Sequence, residues 1–267
     1  AESVKNLAIF YEGTRDYDKA EPLYQRALAI REKCLGPTHP QTSESVKNLA
    51  IFYEVTKQYD KAEPMYQRAL KIRETALGPM HPDTTESVKN LAIFYEVTRQ
   101  YDKAEPMYKR ALEMREAIYG KDHPVVAESV KNLAIFYEVT KKHDLAEPLY
   151  ERALQIRRTC LGERHPDTAE SYKNLAIFYE VTGRFEKAEP LYLKALEIRE
   201  SLYGPNHKVT LESVKNLKIF YSKLQTLFFL HSLFLLLLLL LLSHTDYTKR
   251  PQLAKPYEDR MRKNNYT

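Results

Sequence analysis

The segment ESVKNLAIFYE occupies residues 2–12 and returns at Glu44, Glu86, Glu128 and, with Tyr172 in place of valine, Glu170. A sixth copy opens at Glu212 and breaks off after Tyr221. The spacing is 42 residues each time. A fixed period of this size is the mark of stacked supersecondary units, each too small to bury its own apolar face. Such stacks present long surfaces rather than enclosed pockets, which favours binding over catalysis.

One repeat contains two helical patterns. Val4, Leu7, Ala8 and Tyr11 fall on one face of a first helix. Ala20, Tyr24, Ala27, Leu28 and Ile30 form the apolar set of a second. A polar turn separates them, GTRDYD in the first copy and VTKQYD in the next. Asp18 with Glu21 reads as a capping-box start, repeated at Asp60/Glu63, Asp102/Glu105 and Asp144/Glu147. Gly36 and Pro37 end the second helix, and the His-Pro of the linker opens the next first helix. Ala8 and Ala20 mark where the paired axes come close, since a larger side chain would hold them apart.

The pattern V-x2-L-A-x2-Y followed by A-x3-Y-x2-A-L resembles the tetratricopeptide repeat, with Val for the usual Trp and Ala for the usual Gly. Segments such as AEPLYQRALAIREKCLGPTHP are similar to the 42-residue repeats of kinesin light chains and nephrocystin-3, with PLYERAL at residues 148–154 favouring the latter. The resemblance implies an all-α, right-handed solenoid of antiparallel helix pairs over residues 1–221. Five repeats and a truncated sixth start near 2, 44, 86, 128, 170 and 212. It also implies a non-enzymatic adaptor in the cytoplasm, associated with cilium or cytoskeleton, with protein or linear-peptide partners and no cofactor. The chain opens at a repeat boundary, so we expect a fragment of a longer array.

On a helical wheel, Glu2, Lys5, Asn6, Ile9 and Glu12 lie opposite the apolar face. In the resembling family that side lines a concave groove. The expected peptide-binding residues are therefore Lys47 and Asn48, then Lys89, Asn90 and Ile93, then Lys131, Asn132 and Ile135, then Lys173 and Asn174. Asn offers a donor and an acceptor to a peptide backbone, and Lys offers charge to a carboxylate, which suits an acidic peptide. The plainer readings are local Glu-Lys pairing on a solvated face and, for Asn, hydrogen bonding between repeats.

Other chemistries find little support. Residues 222–267 hold seven of the 41 basic and three of the 36 acidic residues, so the repeats are nearly neutral and no basic face invites nucleic acid. His39, His81, His123, His165 and His207 recur once per linker, too dispersed to converge on a metal. No phosphate loop or nucleophile-elbow sequence is present. Cys34 and Cys160 share one repeat position and read as buried thiols of a reducing, intracellular protein.

After Tyr221 the repeat gives way to a Leu/Phe-rich run. Residues 224–242 carry no Asp, Glu, Lys or Arg, enough length to span a bilayer at ~1.5 Å per residue. This run reads either as a membrane anchor, the one route to a membrane partner, or as a translated intron or faulty gene model. The break in mid-repeat and Lys218 in the small-alanine position favour the second. Residues 243–267 are basic and read as a disordered tail.

Overall fold

The computed structural model describes residues 1–244, with the side chains of 231 and 236–244 outside that description. All regular structure among the described residues is helical. In order these are α1 (Glu2–Gly13), α2 (Tyr17–Leu35), α3 (Pro40–Val55), α4 (Tyr59–Leu77), α5 (Pro82–Val97), α6 (Tyr101–Tyr119), α7 (Pro124–Val139), α8 (His143–Leu161), α9 (Pro166–Val181), α10 (Phe185–Tyr203) and α11 (Lys208–His244). The chain divides into a first unit, Ala1–His207, and a second, Lys208–Thr267.

The first unit is five helix pairs in series, each helix packing chiefly on its neighbours in the chain. Side-chain bonds fix the directions. Tyr24 near the start of α2 donates to Glu12 near the end of α1 at 2.5 Å. Arg31 near the end of α2 reaches Glu2 at the start of α1 at 3.1 Å. The pair is therefore antiparallel. Between α2 and α3 the same holds, with Arg31 donating to the Gln41 carbonyl and Tyr53 to Glu21. Ala8 and Ala20, with their counterparts in every repeat, are fully buried at the close contact.

Local chemistry sets the helix ends. His39, His81, His123 and His165 are N-caps, with Nδ1 accepting from the backbone N–H two residues on and proline following at the first helical position. The linker histidines thus have a structural duty. Gly36 stops α2 at φ 94°, a conformation costly to any residue with a Cβ. The second helices begin differently from the capping-box expectation. Asp18 lies in the first turn, the N-cap is Asp16, and no side chain caps α2. Glu21 instead accepts from Tyr53 of the next repeat, a bond a single repeat cannot reveal. Cys34 and Cys160 are exposed, contrary to the buried reading. Their slot lies at the solvent edge, which explains why it also takes Ala76, Ile118 and Leu202.

In the second unit α11 continues without a break past Tyr221 to His244. Helices α3, α5, α7 and α9 stop at Val-Thr, and α1 at Gly-Thr, each before a left-handed residue, whereas Ser222 and Lys223 stand where that turn would be and no Gly or Pro follows before residue 244. Leu227, Phe228, Phe229, Leu230, Leu233 and Phe234 are exposed. Among the described residues no helix is long and apolar enough to cross a membrane. The membrane-anchor reading of 224–242 lies partly, and the tail reading of 243–267 almost wholly, outside the described residues.

Candidate functional site

Each interior first helix buries one side and shows the other. In α3 the shown side carries Glu44, Lys47, Asn48, Ile51 and Val55, spaced so that they form one stripe. Ile51, Ile93 and Ile135 are all about one-third exposed or more, and Val55, Val97, Val139 and Val181 more still. The apolar side chains of the expected groove therefore do face solvent, once per repeat. A cleft of about 450 Å³ between α1, α2 and α3 brings Ile9, Asn48, Ile51, Val55, Glu12 and Tyr24 together. Ladder residues of neighbouring repeats thus meet in one depression. A second cleft of about 590 Å³ at the other end of these helices includes Lys5, Glu2, Arg31 and Glu44.

Asn48, Asn90, Asn132 and Asn174 are half-buried, Asn6 is exposed, and none makes a side-chain hydrogen bond among the described residues. None of Asn6, Asn48, Asn90, Asn132 and Asn174 makes a side-chain hydrogen bond to a neighbouring repeat among the described residues. Their amide groups remain open to a ligand. The lysines are in a different state. Lys47, Lys89, Lys131 and Lys173 pair with Glu44, Glu86, Glu128 and Glu170, at 4.0, 2.7, 2.9 and 2.6 Å. Lys5 pairs with Glu2. Arginines from the second helices share several of these glutamates, as Arg115 does Glu86, Arg157 Glu128 and Arg199 Glu170. Burial works to raise the Glu128 carboxyl pKa, but Lys131 and Arg157 prevail and hold it below the ordinary value. The stripe is neutral by mutual pairing. Among the described residues no group of His, Cys, Asp and Glu could hold a metal ion.

The repeat and its antiparallel helix pair have clear relatives. The tetratricopeptide repeat profile matches residues 1–75, 83–138 and 127–180, and a second profile of the same description matches 168–207. The chain belongs to the tetratricopeptide repeat family. Among solved structures, BtubC (BKLC) from P. vanneervenii is 31% identical, with 78% of this chain and 83% of that chain covered and a TM-score of 0.64. A Podosopora anserina putative kinesin light chain with nearly identical TPR-like repeats is 24% identical, with 76% and 96% covered and a TM-score of 0.64. A single-substitution form of that protein gives 24%, 75% and 95%, with a TM-score of 0.65. These last two show the fold. A search of curated proteins gives no match.

Within this tetratricopeptide array two kinds of residue escape the single-repeat wheel. Phe52, Phe94, Phe136 and Phe178 are fully buried and among the largest buried side chains. Phe52 packs on Tyr24 of the preceding repeat at 5.3 Å between ring centres, and the later copies match. The second kind is the arginine of the Ile-Arg or Met-Arg step. Arg73 donates to Ser43, to Ser87 and to the Asp83 carbonyl at 2.8–3.0 Å, joining α4 to both flanking first helices. Arg157 bonds to Ser171 and the Asp167 carbonyl on α9, with Glu128 in place of a serine on α7. Arg115 donates to the Val125 carbonyl and pairs with Glu86 but makes no bond to a serine, and Ser129 Oγ is buried without a hydrogen-bond partner among the described residues. The signal available in sequence is the invariance of Phe and Arg across five copies, which the wheel does not weigh.

Proposed function

We propose that this chain is a non-enzymatic protein-interaction scaffold that holds an extended peptide across the shown faces of α3, α5, α7 and α9. The carrying observation is the set of asparagines with no side-chain bond among the described residues, flanked by exposed isoleucine and valine on α3, α5 and α7 and by exposed Val181 on α9. Asn48, Asn90, Asn132 and Asn174 would pair with peptide backbone, and Ile51, Ile93 and Ile135 would take apolar side chains. Lys47, Lys89, Lys131 and Lys173 would reach ligand carboxylates only by leaving their glutamates, so an acidic ligand is a secondary preference. The 42-residue repeat supports adaptor work in a cytoplasmic assembly, of nephrocystin-3 or kinesin-light-chain type.

A peptide array probed with the whole chain tests this reading, repeated with Asn90→Ala/Asn132→Ala. Each lost side chain strands peptide backbone groups in the complex, weakening binding by ~1–3 kcal/mol, with folding nearly unchanged. Unaltered binding alongside a normal melting curve would place the site elsewhere. Identifying the proteins retained by the chain separates the two adaptor types.

A further inference from the structure

Helices α3, α5, α7 and α9 each end on an exposed valine, Val55, Val97, Val139 and Val181. In α1 the same place holds Gly13. The backbone does not ask for a glycine here. Gly13 is helical, its φ is not positive, and a Cβ built on it would meet nothing within 4 Å. A helical glycine costs stability relative to a residue with a side chain. What the exchange supplies is room.

That room belongs to the cleft between α1, α2 and α3, which Gly13 lines. The apolar walls are Ile9, Ile51 and Val55, with the rings of Tyr17 and Tyr24. Both rings rest on the fully buried Phe52, at 6.2 and 5.3 Å between ring centres, so these walls are set before any ligand arrives. Glu12 and Arg15 contribute one charge of each sign, and Glu12 already accepts from the Tyr24 hydroxyl at 2.5 Å. Asn48 borders the same cleft, its amide unbonded among the described residues. The cleft opens toward the following repeat, and Leu7, Phe10 and Tyr11 take no part in it. One repeat on, Val55 stands in the place of Gly13, and its branched side chain takes up the corresponding space.

We propose that Gly13 makes this cleft a socket for one phenylalanine-class side chain of the bound peptide, and so sets which ligand residue lies at the boundary of the first two repeats. The inference rests on the peptide-stripe reading above and adds a sequence requirement to it. An aromatic ring fits the walls because it can pack edge-on or offset against Tyr17 and Tyr24. A charged side chain does not, because Glu12 and Arg15 leave no net charge to offset its desolvation. Asn48 would hold the peptide backbone beside the anchoring residue. A fixed apolar hollow with polar groups only at its rim is the setting in which one buried residue dominates binding.

An oriented peptide library tests this. One central position is fixed in separate pools as Phe, Leu, Ala or Asp, the rest are degenerate, and each pool is measured for retention by the whole chain. The Phe pool should be retained at least about tenfold better than the Ala pool. Gly13→Val should erase that preference while the chain melts no lower than wild type, since valine already ends four first helices. Adding Val97→Gly to Gly13→Val should bring the preference back, by opening the equivalent cleft between α5, α6 and α7. Asn90→Ala/Asn132→Ala should weaken every pool alike and leave the Phe-to-Ala ratio as it was. Pools that bind wild type without favouring Phe, or a Phe preference that survives Gly13→Val, would overturn the socket and leave the stripe standing. An Asp pool retained best would also overturn it, with Arg15 as the selecting group. Wild type retaining no pool at all would overturn the stripe reading and the socket together.

Discussion

Two interfaces alternate along the array, and they are built from different materials. Within a repeat, the helices approach through alanine, as at Ala134 and Ala146, with a tyrosine–glutamate bond closing the far end. Between repeats, the contact is a buried phenylalanine in an aromatic socket plus an arginine that bonds to polar groups on both sides, as Arg157 does to Glu128 and to Ser171. The first interface depends on small size, the second on large rings and charge-assisted bonds. Pairing thus rests on close backbone approach plus one tyrosine–glutamate bond, while stacking draws large side chains from two repeats. The tyrosines of the first interface follow this division. Burial, and then the neighbouring Glu54, Glu96 and Glu138, push Tyr66, Tyr108 and Tyr150 far above the ordinary phenol pKa, so each stays a hydrogen-bond donor.

The sharpest test of the contrast is Phe136→Ala. Phe136 is fully buried against Tyr108 and Tyr101, and its loss should cost about 3–5 kcal/mol. Because each repeat contacts only its neighbours, amide exchange should rise most around α6 and α7. Protection that falls evenly across the first unit would contradict a nearest-neighbour stack. Next comes Arg157→Ala, which leaves the Asp167 carbonyl and Ser171 without their donor and should cost about 1–3 kcal/mol in urea unfolding. Lysine should rescue little, since it lacks the planar fork. On the other interface, Ala134→Leu should overpack the close approach and cost about 1–3 kcal/mol. If it melts like wild type, the alanine contact is looser than its burial implies.

The polar part of the inter-repeat contact has a pH signature. Glu105 accepts from Lys142 at 2.7 Å and Tyr137 at 3.1 Å, both in the next repeat, and pairs with Lys109 at 2.8 Å. Lys109 first, then Lys142, lower its carboxyl from the ordinary 4.5 to about 2. A carboxyl lowered by folding stabilises the fold above its unfolded value and loses that contribution as pH drops toward its folded one. The urea midpoint should therefore fall between pH 4.5 and about 2, and Glu105→Gln should flatten that part of the curve. An unchanged slope would assign the acid sensitivity to other pairs.

The two interfaces also differ in how far they can be read from sequence. Ala8, Ala20 and Tyr24 are legible because their partners lie within one repeat and follow the helical period. Phe10 and Arg31 are not, because a wheel drawn for one repeat has no place for the helix that precedes or follows it. Asp18 misleads for the same reason: its capping pattern matches, yet Glu21 is committed to Tyr53 across the boundary. Of the stripe, the exposed isoleucines and open asparagines are legible by periodicity. The neutralising pairs on the lysines are visible only as the local Glu-Lys alternative. The exposed valines at the helix ends fall outside the wheel's selection, although they lie one turn past each isoleucine.

The smallest expected effect lies in the turn that joins the helices of a pair. Arg15, Lys57, Arg99 and Lys141 take φ of 59–62° there, in the left-handed region, and the fifth repeat places Gly183 at φ 75° in the same spot. A residue with a Cβ pays roughly 1–2 kcal/mol for that conformation. Glycine avoids the clash but loses more chain entropy on folding, roughly 0.5–1 kcal/mol. The difference predicts that Lys141→Gly stabilises by about 0.5 kcal/mol, and that Gly183→Lys destabilises by a similar amount. No ion pair confuses the comparison, since Lys141 makes no side-chain bond among the described residues. The four turns are separated by whole repeats, so combining Lys57→Gly, Arg99→Gly and Lys141→Gly should add nearly linearly and bring the shift well above measurement error. A triple variant no more stable than wild type would mean that the turn is relaxed by something other than its φ.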